Sequence, residues 1–247
     1  MRRYGLGFIS DEDLFAHVKE TVEKYRFKID LKRFNKNLID PIKLTFDAKV
    51  YGKTIEEIIE SEIIRQIDKS NTNHIGYFHQ NIFRYIDPEW QVPKQGFDLV
   101  NEHKKIYVEI KNKHNTMNAA SSQKTYMKMQ SMLLKDAQNR CILVEVIAKR
   151  SQDIPWQVSI DGISHKHDFI RRVSMDRFYS LVTGDDEAFK KLCEALPSVL
   201  DDVLEDAVQN PVENSVFGEL QALSPNLLKS LYLLAFSNYN GFDTFDI

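Results

Sequence analysis

Between Gly96 and Lys111 the sequence GFDLVNEHKKIYVEIK permits few folds. Ile106, Val108 and Ile110 alternate with Tyr107, Glu109 and Lys111, the period of two that sends alternate side chains to opposite faces of a strand. Phe97 and Leu99 flank Asp98 in the same manner, and Asn101-Glu102-His103-Lys104 supplies a polar turn. A hairpin that buries Phe97, Leu99, Ile106, Val108 and Ile110 on one side has its register specified by that core. A slip of one residue would send Phe97 and Leu99 to the wrong face. This register predicts Asp98 across from Tyr107 or Glu109, and it gathers Asp98, Glu109 and Lys111 on the opposite face. Neighbouring side chains there stand roughly 5–7 Å apart.

The rest of the chain supplies layers for such a sheet. Ser10-Asp11-Glu12-Asp13 starts a helix with Leu14, Val18, Val22 and Tyr25 on one face. Thr54 and Glu57 have capping-box spacing, which predicts a helix from about Ile55 to Lys69. Phe27 to Tyr51 is mixed, with Asp40-Pro41 marking a turn, and the aromatic-rich stretch 71–90 is partly helical. After the hairpin, AASSQKTYMKMQSMLLKDAQNR has a helical pattern and CILVEVIAKR is the β-branched run of a buried strand. Short strands follow at 156–160 and 170–174, then a helix from Met175 to Val182 ended by Gly184. The chain from about Glu187 onward is mostly helical. Its 247 residues are expected to form one domain with a core at about 52–182, an N-terminal helical extension at 1–51 and a C-terminal helical part at 185–247.

Composition excludes some classes. No apolar run reaches eighteen residues, so no membrane span is expected. The beginning MRRYGLGFISDEDLF lacks the long apolar segment of a secretory signal, and Cys141 and Cys193 are far apart and outside any C-x-x-C. A cytoplasmic protein with reduced thiols is expected. Neither His74/His79 nor His165/His167 has the further partner of a zinc site, and there is no glycine-rich loop for a nucleotide cofactor. The net charge of −3 conceals an asymmetry: Lys104 to Arg150 holds ten Lys/Arg against three acids, whereas Asp185 to Ala222 holds ten acids against two lysines. A local polyanion site in an acidic protein is compatible with that pattern, as are two ordinary solvated faces.

Spacing alone leaves two readings of the hairpin charges. One is an exposed cross-strand ion pair worth roughly 0–1 kcal/mol. The other is a metal site, because two close carboxylates repel unless a cation lies between them. Mg²⁺ suits the second: it prefers oxygen ligands and takes one or two protein carboxylates together with waters and substrate phosphate oxygens. A lysine, protonated at its ordinary pKa of about 10.4, would then stabilise phosphate charge and position a water.

The order Gly96-Phe97-Asp98, then Glu109-Ile110-Lys111, resembles the PD-(D/E)XK nuclease superfamily, with an aspartate on one strand and an acid-x-lysine on the next. The proline that often precedes the aspartate is lacking here. The wider stretches KVYGKTIEEIIESEIIRQIDKSNTNHIGYFHQNIF and VEIKNKHNTMNAASSQKTY are similar to bacterial type II restriction endonucleases, in particular the group cutting GGNCC sites. The resemblance implies an α/β (α+β) fold with a central mixed β-sheet flanked by helices and extra helices at both ends. It implies Mg²⁺-dependent hydrolysis of double-stranded DNA at a short palindrome, with Asp98, Glu109 and the Ile110 backbone carbonyl as metal ligands and Lys111 as the third catalytic residue. A palindromic site implies a homodimer, and host protection implies a cognate DNA methyltransferase as genetic partner. The superfamily often adds an acid from the preceding helix; Glu62 falls inside the apolar stripe of Ile55, Ile58 and Ile59 and is the first candidate, Glu56 the second. The polar loop and helix start after Lys111 offer Lys113, His114, Asn115, Asn118, Ser121, Ser122, Gln123 and Lys124 for DNA contacts. Three other readings remain: a repair or recombination nuclease without sequence specificity, a catalytically silent DNA-binding module on the same fold, and a protein unrelated to nucleic acid.

Overall fold

The computed structural model describes residues 3–26, 28–206, 213–236 and 247. In chain order its elements begin α1 (Asp11–Glu23), β1 (Lys28–Ile29), α2 (Leu31–Asn35), α3 (Pro41–Tyr51), α4 (Ile55–Asn81) and α5 (Phe83–Ile86). Then come β2 (Leu99–Asn101), β3 (Ile106–Lys113), α6 (Ala119–Lys135), β4 (Arg140–Ile147), β5 (Asp153–Ile160), β6 (Ile163–Ser174) and α7 (Met175–Thr183). The chain closes with α8 (Ala188–Asp206), β7 (Glu213–Asn214), α9 (Val216–Leu223) and α10 (Leu227–Phe236). No helix among the described residues is long and apolar enough to cross a membrane.

These elements form two compact units, one of residues 1–23 and 75–208, the other of 24–74 and 209–247. The stretch 52–182 expected as the core of one domain contributes to both units. Of the 27-residue helix α4, residues up to His74 belong to the smaller unit and those from Ile75 to the larger. Of the helical C-terminal part, residues 207–212 and 237–246 lie outside those described.

The larger unit is built on a five-stranded sheet of order β2-β3-β4-β6-β5. The outer pairs β2/β3 and β5/β6 are antiparallel, while β3/β4 and β4/β6 are parallel. This is the mixed sheet flanked by helices that the resemblance implies. α6 is the crossover between parallel β3 and β4, the connection that parallel neighbours require. Alternation on the strands feeds two cores. Leu99, Ile106, Val108, Ile110, Ile142 and Val144 pack with residues of α1, α4, α5, α7 and α8. Val100, Cys141, Leu143 and Ile170 on the other face pack with Tyr126 and Met129 of α6.

Two local departures from the expected hairpin have one cause. Leu99 is the register partner of Val108, yet the Asp98 N–H also bonds the Val108 carbonyl at 3.0 Å, so two residues address one. This bulge shifts the alternation ahead of β2. Phe97 therefore packs against Tyr107 on the α6 side rather than beside Leu99 on the opposite face.

The smaller unit is mostly helical, with β1 and β7 as a short parallel pair. The Thr54/Glu57 capping box forms in both directions, at 3.2 and 2.8 Å. The Asp40-Pro41 pair expected as a turn instead starts α3: the Asp40 carboxylate accepts from the Lys43 N–H, and Pro41 occupies the first helical position, where no donor is needed. The core of this unit joins Ile58, Ile59 and Ile63 to Val216, Leu220 and Leu231 from the far end of the chain.

Leu99, fully buried at the start of β2, fixes the hairpin register. Leu99→Ala is expected to lower stability by about 2–5 kcal/mol. Leu38→Ala, at an exposed site, should change it by under about 0.5 kcal/mol. Urea unfolding of both variants measures the contrast.

Candidate active site

The bulge before β2 turns Asp98 toward β3, and its carboxylate accepts the Ile110 N–H at 2.8 Å. That donor is available because Ile110 lies beyond the point where β2 ends its pairing with β3. A strand residue's N–H and C=O leave on the same side, so the Ile110 carbonyl also points toward the Asp98 side of β3. Glu109, one residue earlier, projects toward the α6 face together with Tyr107 and Lys111. Lys111 Nζ stands 3.4 Å from the Glu109 carboxylate and 4.0 Å from that of Asp98. The three residues that alternation places on one face are thus brought together.

A fourth group, absent from the sequence reading, completes the cluster. Lys128 of α6 ion-pairs with Glu109, donates to the Gly96 carbonyl at 2.7 Å and lies 4.1 Å from the centre of the Phe97 ring. One ammonium therefore ties the turn before Asp98 to the strand that carries Glu109. Its sequence signal was faint: Lys128 sits at the edge of the Tyr126, Met129 and Leu133 stripe, where a polar end over an apolar stem is common.

Two carboxylates and two ammonium groups leave this buried cluster balanced in formal charge. Glu109 is only 8 % exposed. Burial pushes the Asp98 carboxyl up to about 6, and the adjacent Glu109 charge pushes the same way. Burial also opposes ionisation of Glu109, but its hydrogen bond to Lys128 and the nearby Lys111 charge outweigh that and hold it below the ordinary value. The cluster therefore holds one firmly ionised acid beside one that is reluctant to ionise. A divalent cation fits this donor set: two converging carboxylates and a carbonyl leaving on the same side are hard oxygen ligands. No group of three or more His, Cys, Asp or Glu among the described residues could form an all-protein cage.

Next along the sheet, Glu145 of β4 is the register partner of Lys111 and is almost wholly buried. Its carboxylate pairs with Arg172 of β6, and Arg172 Nη2 also donates to the His114 carbonyl at 3.1 Å. The His114 N–H bonds the Ile147 carbonyl at 3.1 Å. The backbone where the post-Lys111 loop begins is therefore fastened to the sheet.

The other expected site residues have varied positions. The Asn118 side chain caps α6 by accepting from the Ser121 N–H at 2.9 Å, and Gln123 donates to the Ser159 carbonyl at 3.0 Å. Both have structural partners that explain them without DNA. Lys113, Asn115, Ser121 and Lys124 are exposed, and Ser122 is half-buried on the first turn of α6. Glu62 belongs to the smaller unit, where Arg65 grips its two oxygens at 2.6 Å and Gln66 donates at 2.9 Å. These partners account for its inward position without a metal. Glu56 is exposed in the first turn of α4.

Comparison with known proteins adds the family. The family model described as Eco47II restriction endonuclease matches residues 6–205. The type II restriction enzyme Sau96I of Staphylococcus aureus is 32% identical over 208 residues, covering 79% of this chain and 80% of that protein. The type II restriction enzyme Eco47II of Escherichia coli is 32% identical over 209 residues, covering 79% of this chain and 87% of that protein.

The charge balance yields two opposed expectations in chelator. Asp98 binds its proton more tightly folded, near 6, than at its ordinary value of 3.8, so its contribution to stability is full below 3.8 and is lost as pH rises through 6. Asp98→Asn should therefore stabilise the protein at pH 7.5, by on the order of 1–2 kcal/mol after solvent screening, and the gain should vanish near pH 4. Lys128→Met should destabilise it by about 1–3 kcal/mol at pH 7.5, and divalent cation should restore part of that loss. Thermal melts across pH decide both; a destabilised Asp98→Asn or an unaffected Lys128→Met would contradict this electrostatic account.

Proposed function

The chain belongs to the Eco47II restriction endonuclease family and is a type II restriction endonuclease, and from that premise we propose that it hydrolyses double-stranded DNA at the palindrome GGNCC using Mg²⁺ held by Asp98, Glu109 and the Ile110 carbonyl. The observation that carries the site assignment is the convergence of the buried Glu109 and half-buried Asp98 carboxylates on Lys111, whose Nζ lies 3.4 and 4.0 Å from them. The likeness of the chain to GGNCC-cutting enzymes supports the recognition sequence.

Mg²⁺ at this position supplies charge neutralisation and Lewis-acid polarisation of the scissile phosphate. The protein residues do the rest by position. Asp98 is oriented by the Ile110 N–H and Glu109 by Lys128, so both carboxylates are set before substrate arrives. Lys111, beside both acids, would position a water opposite the leaving oxygen and stabilise charge developing on the phosphate; as the new P–O bond forms the bond to the leaving oxygen breaks, the water releasing its proton to solvent and the leaving oxygen taking one from solvent. Lys113, Asn115, Ser121 and Lys124 take the DNA backbone and base edges nearest the site, with the N-terminus of α6 favouring phosphate. The proposal places no metal on Glu62, whose carboxylate Arg65 and Gln66 engage. A palindromic target calls for two copies of the chain related by a two-fold axis, and self-protection calls for a cognate methyltransferase acting on the same sites in the cytoplasm. No nucleotide cofactor enters the reaction.

Plasmid digestion with Mg²⁺ and with chelator, followed by sequencing of the ends, tests the whole reading. Discrete Mg²⁺-dependent fragments with ends in GGNCC are expected; a smear would favour a nuclease without sequence specificity. Asp98→Ala, Glu109→Ala and Lys111→Ala should each cut the rate by about 10²–10⁴-fold while the thermal melt remains cooperative. Full activity in any one of them removes that residue from the site.

A further inference from the structure

The smaller unit carries a second concentration of positive charge that the catalytic site does not use. Residues 24–36, KYRFKIDLKRFNK, hold six Lys/Arg and one acid. α2 and the middle of α4 fold this segment around a hollow of about 770 Å³. Lys24, Arg26, Lys28, Arg33, Lys36 and Lys69 all line it, and among the described residues no carboxylate does. Among the described residues, Arg26, Arg33, Lys36 and Lys69 form no ion pair. In a chain of net charge −3 with acids in excess, the four cations Arg26, Arg33, Lys36 and Lys69 around one hollow call for an external anion.

The floor of the hollow is built to stay in place. Gln66, 2 % exposed, donates to the Phe34 carbonyl at 3.1 Å and accepts from the Asn37 side chain at 2.8 Å. The Arg26 N–H bonds the Asn71 side chain at 3.1 Å, fixing the segment's start against α4. Arg33, Lys36 and Lys69 extend from this frame as exposed side chains.

We propose that this hollow is a backbone-binding site that takes several consecutive phosphates of duplex DNA without reading bases. The proposal rests on the DNA-cutting activity of the family and concerns residues outside the catalytic cluster. Its size and the four cations Arg26, Arg33, Lys36 and Lys69 exceed what one phosphate needs, and its polar amides, Asn37 and Asn73, can add neutral donors to phosphate oxygens. Such contacts set affinity and salt dependence equally for any sequence, because released counterions, not base edges, supply the free energy.

The test is the full-length chain with Arg33→Ala, Lys36→Ala and Lys69→Ala combined, titrated in chelator with labelled duplexes that contain or lack GGNCC. Affinity should fall about 10–100-fold on both duplexes, and the slope of log affinity against log salt should shrink by roughly two to three. The charge-preserving Arg33→Lys, Lys36→Arg, Lys69→Arg protein should keep the wild-type slope. With Mg²⁺ and saturating plasmid, the alanine protein should cut at the wild-type rate within about twofold. An unchanged salt slope overturns the proposal, as does a loss confined to the GGNCC duplex, which would indicate base reading. Failure of the wild-type chain to cut DNA would instead strike the catalytic reading, so the two can fail separately.

Discussion

The site depends on how β2 meets β3. Leu99 must pair with Val108 to bury itself in the core, and at that register the chain just before β2 has to pass Val108 with one residue too many. The bulge absorbs the extra residue, and the donor left open on β3, the Ile110 N–H, is satisfied by the Asp98 carboxylate. A buried N–H without a partner would cost about 1–3 kcal/mol, so the same bond that orients the proposed catalytic acid also completes the sheet. Moving Asp98 would leave a main-chain group unsatisfied. The geometry of the acid is therefore tied to the stability of the hairpin rather than to a flexible loop.

Much of the chemistry was legible because it is local. Alternation on β3 put Glu109 and Lys111 on one face, and the helix starts at Ser10, Thr54 and Asn118 carry side-chain oxygens in capping position. The fold class followed from the order of such elements together with the family resemblance. What escaped was non-local or depended on one extra residue. Phe97 crosses to the α6 face because of a bulge that no alternation rule announces. Lys128 meets Glu109 only after nineteen residues of strand, loop and helix have folded. The smaller unit joins residues near 30 to residues near 215, a separation over which sequence patterns say nothing about contact. Pro41 was misread because Asp-Pro starts a helix as readily as it makes a turn, and only the accepted Lys43 N–H distinguishes the two.

The division of the chain also separates two kinds of charge. In the larger unit, Lys111 and Lys128 are held within ion-pair distance of acids in a partly dry pocket, where each charge is compensated by a specific partner. In the smaller unit, Arg33, Lys36 and Lys69 stand exposed around a hollow that no acid among the described residues lines. The first arrangement favours precise placement of a few groups, as phosphoryl hydrolysis requires. The second favours long-range, salt-sensitive attraction with little geometric demand. A net charge of −3 hides both, which is why the average composition argued weakly against nucleic acid.

Compensation at the catalytic cluster sets a limit on how tightly a cation can bind. Lys128 holds Glu109 ionised, which favours a metal ligand, yet it does so by occupying one of that carboxylate's oxygens. Asp98 is the counterpart: burial beside Glu109 pushes its carboxyl up to about 6, so it ionises reluctantly and gives up its proton only as pH approaches neutral. A cation entering between them would compete with the Lys128 ammonium for Glu109 and, below about pH 6, with a proton on Asp98. Both competitors raise the effective cost of loading the site when no substrate is present, and scissile phosphate lowers it by adding negative oxygens that the two carboxylates alone do not provide.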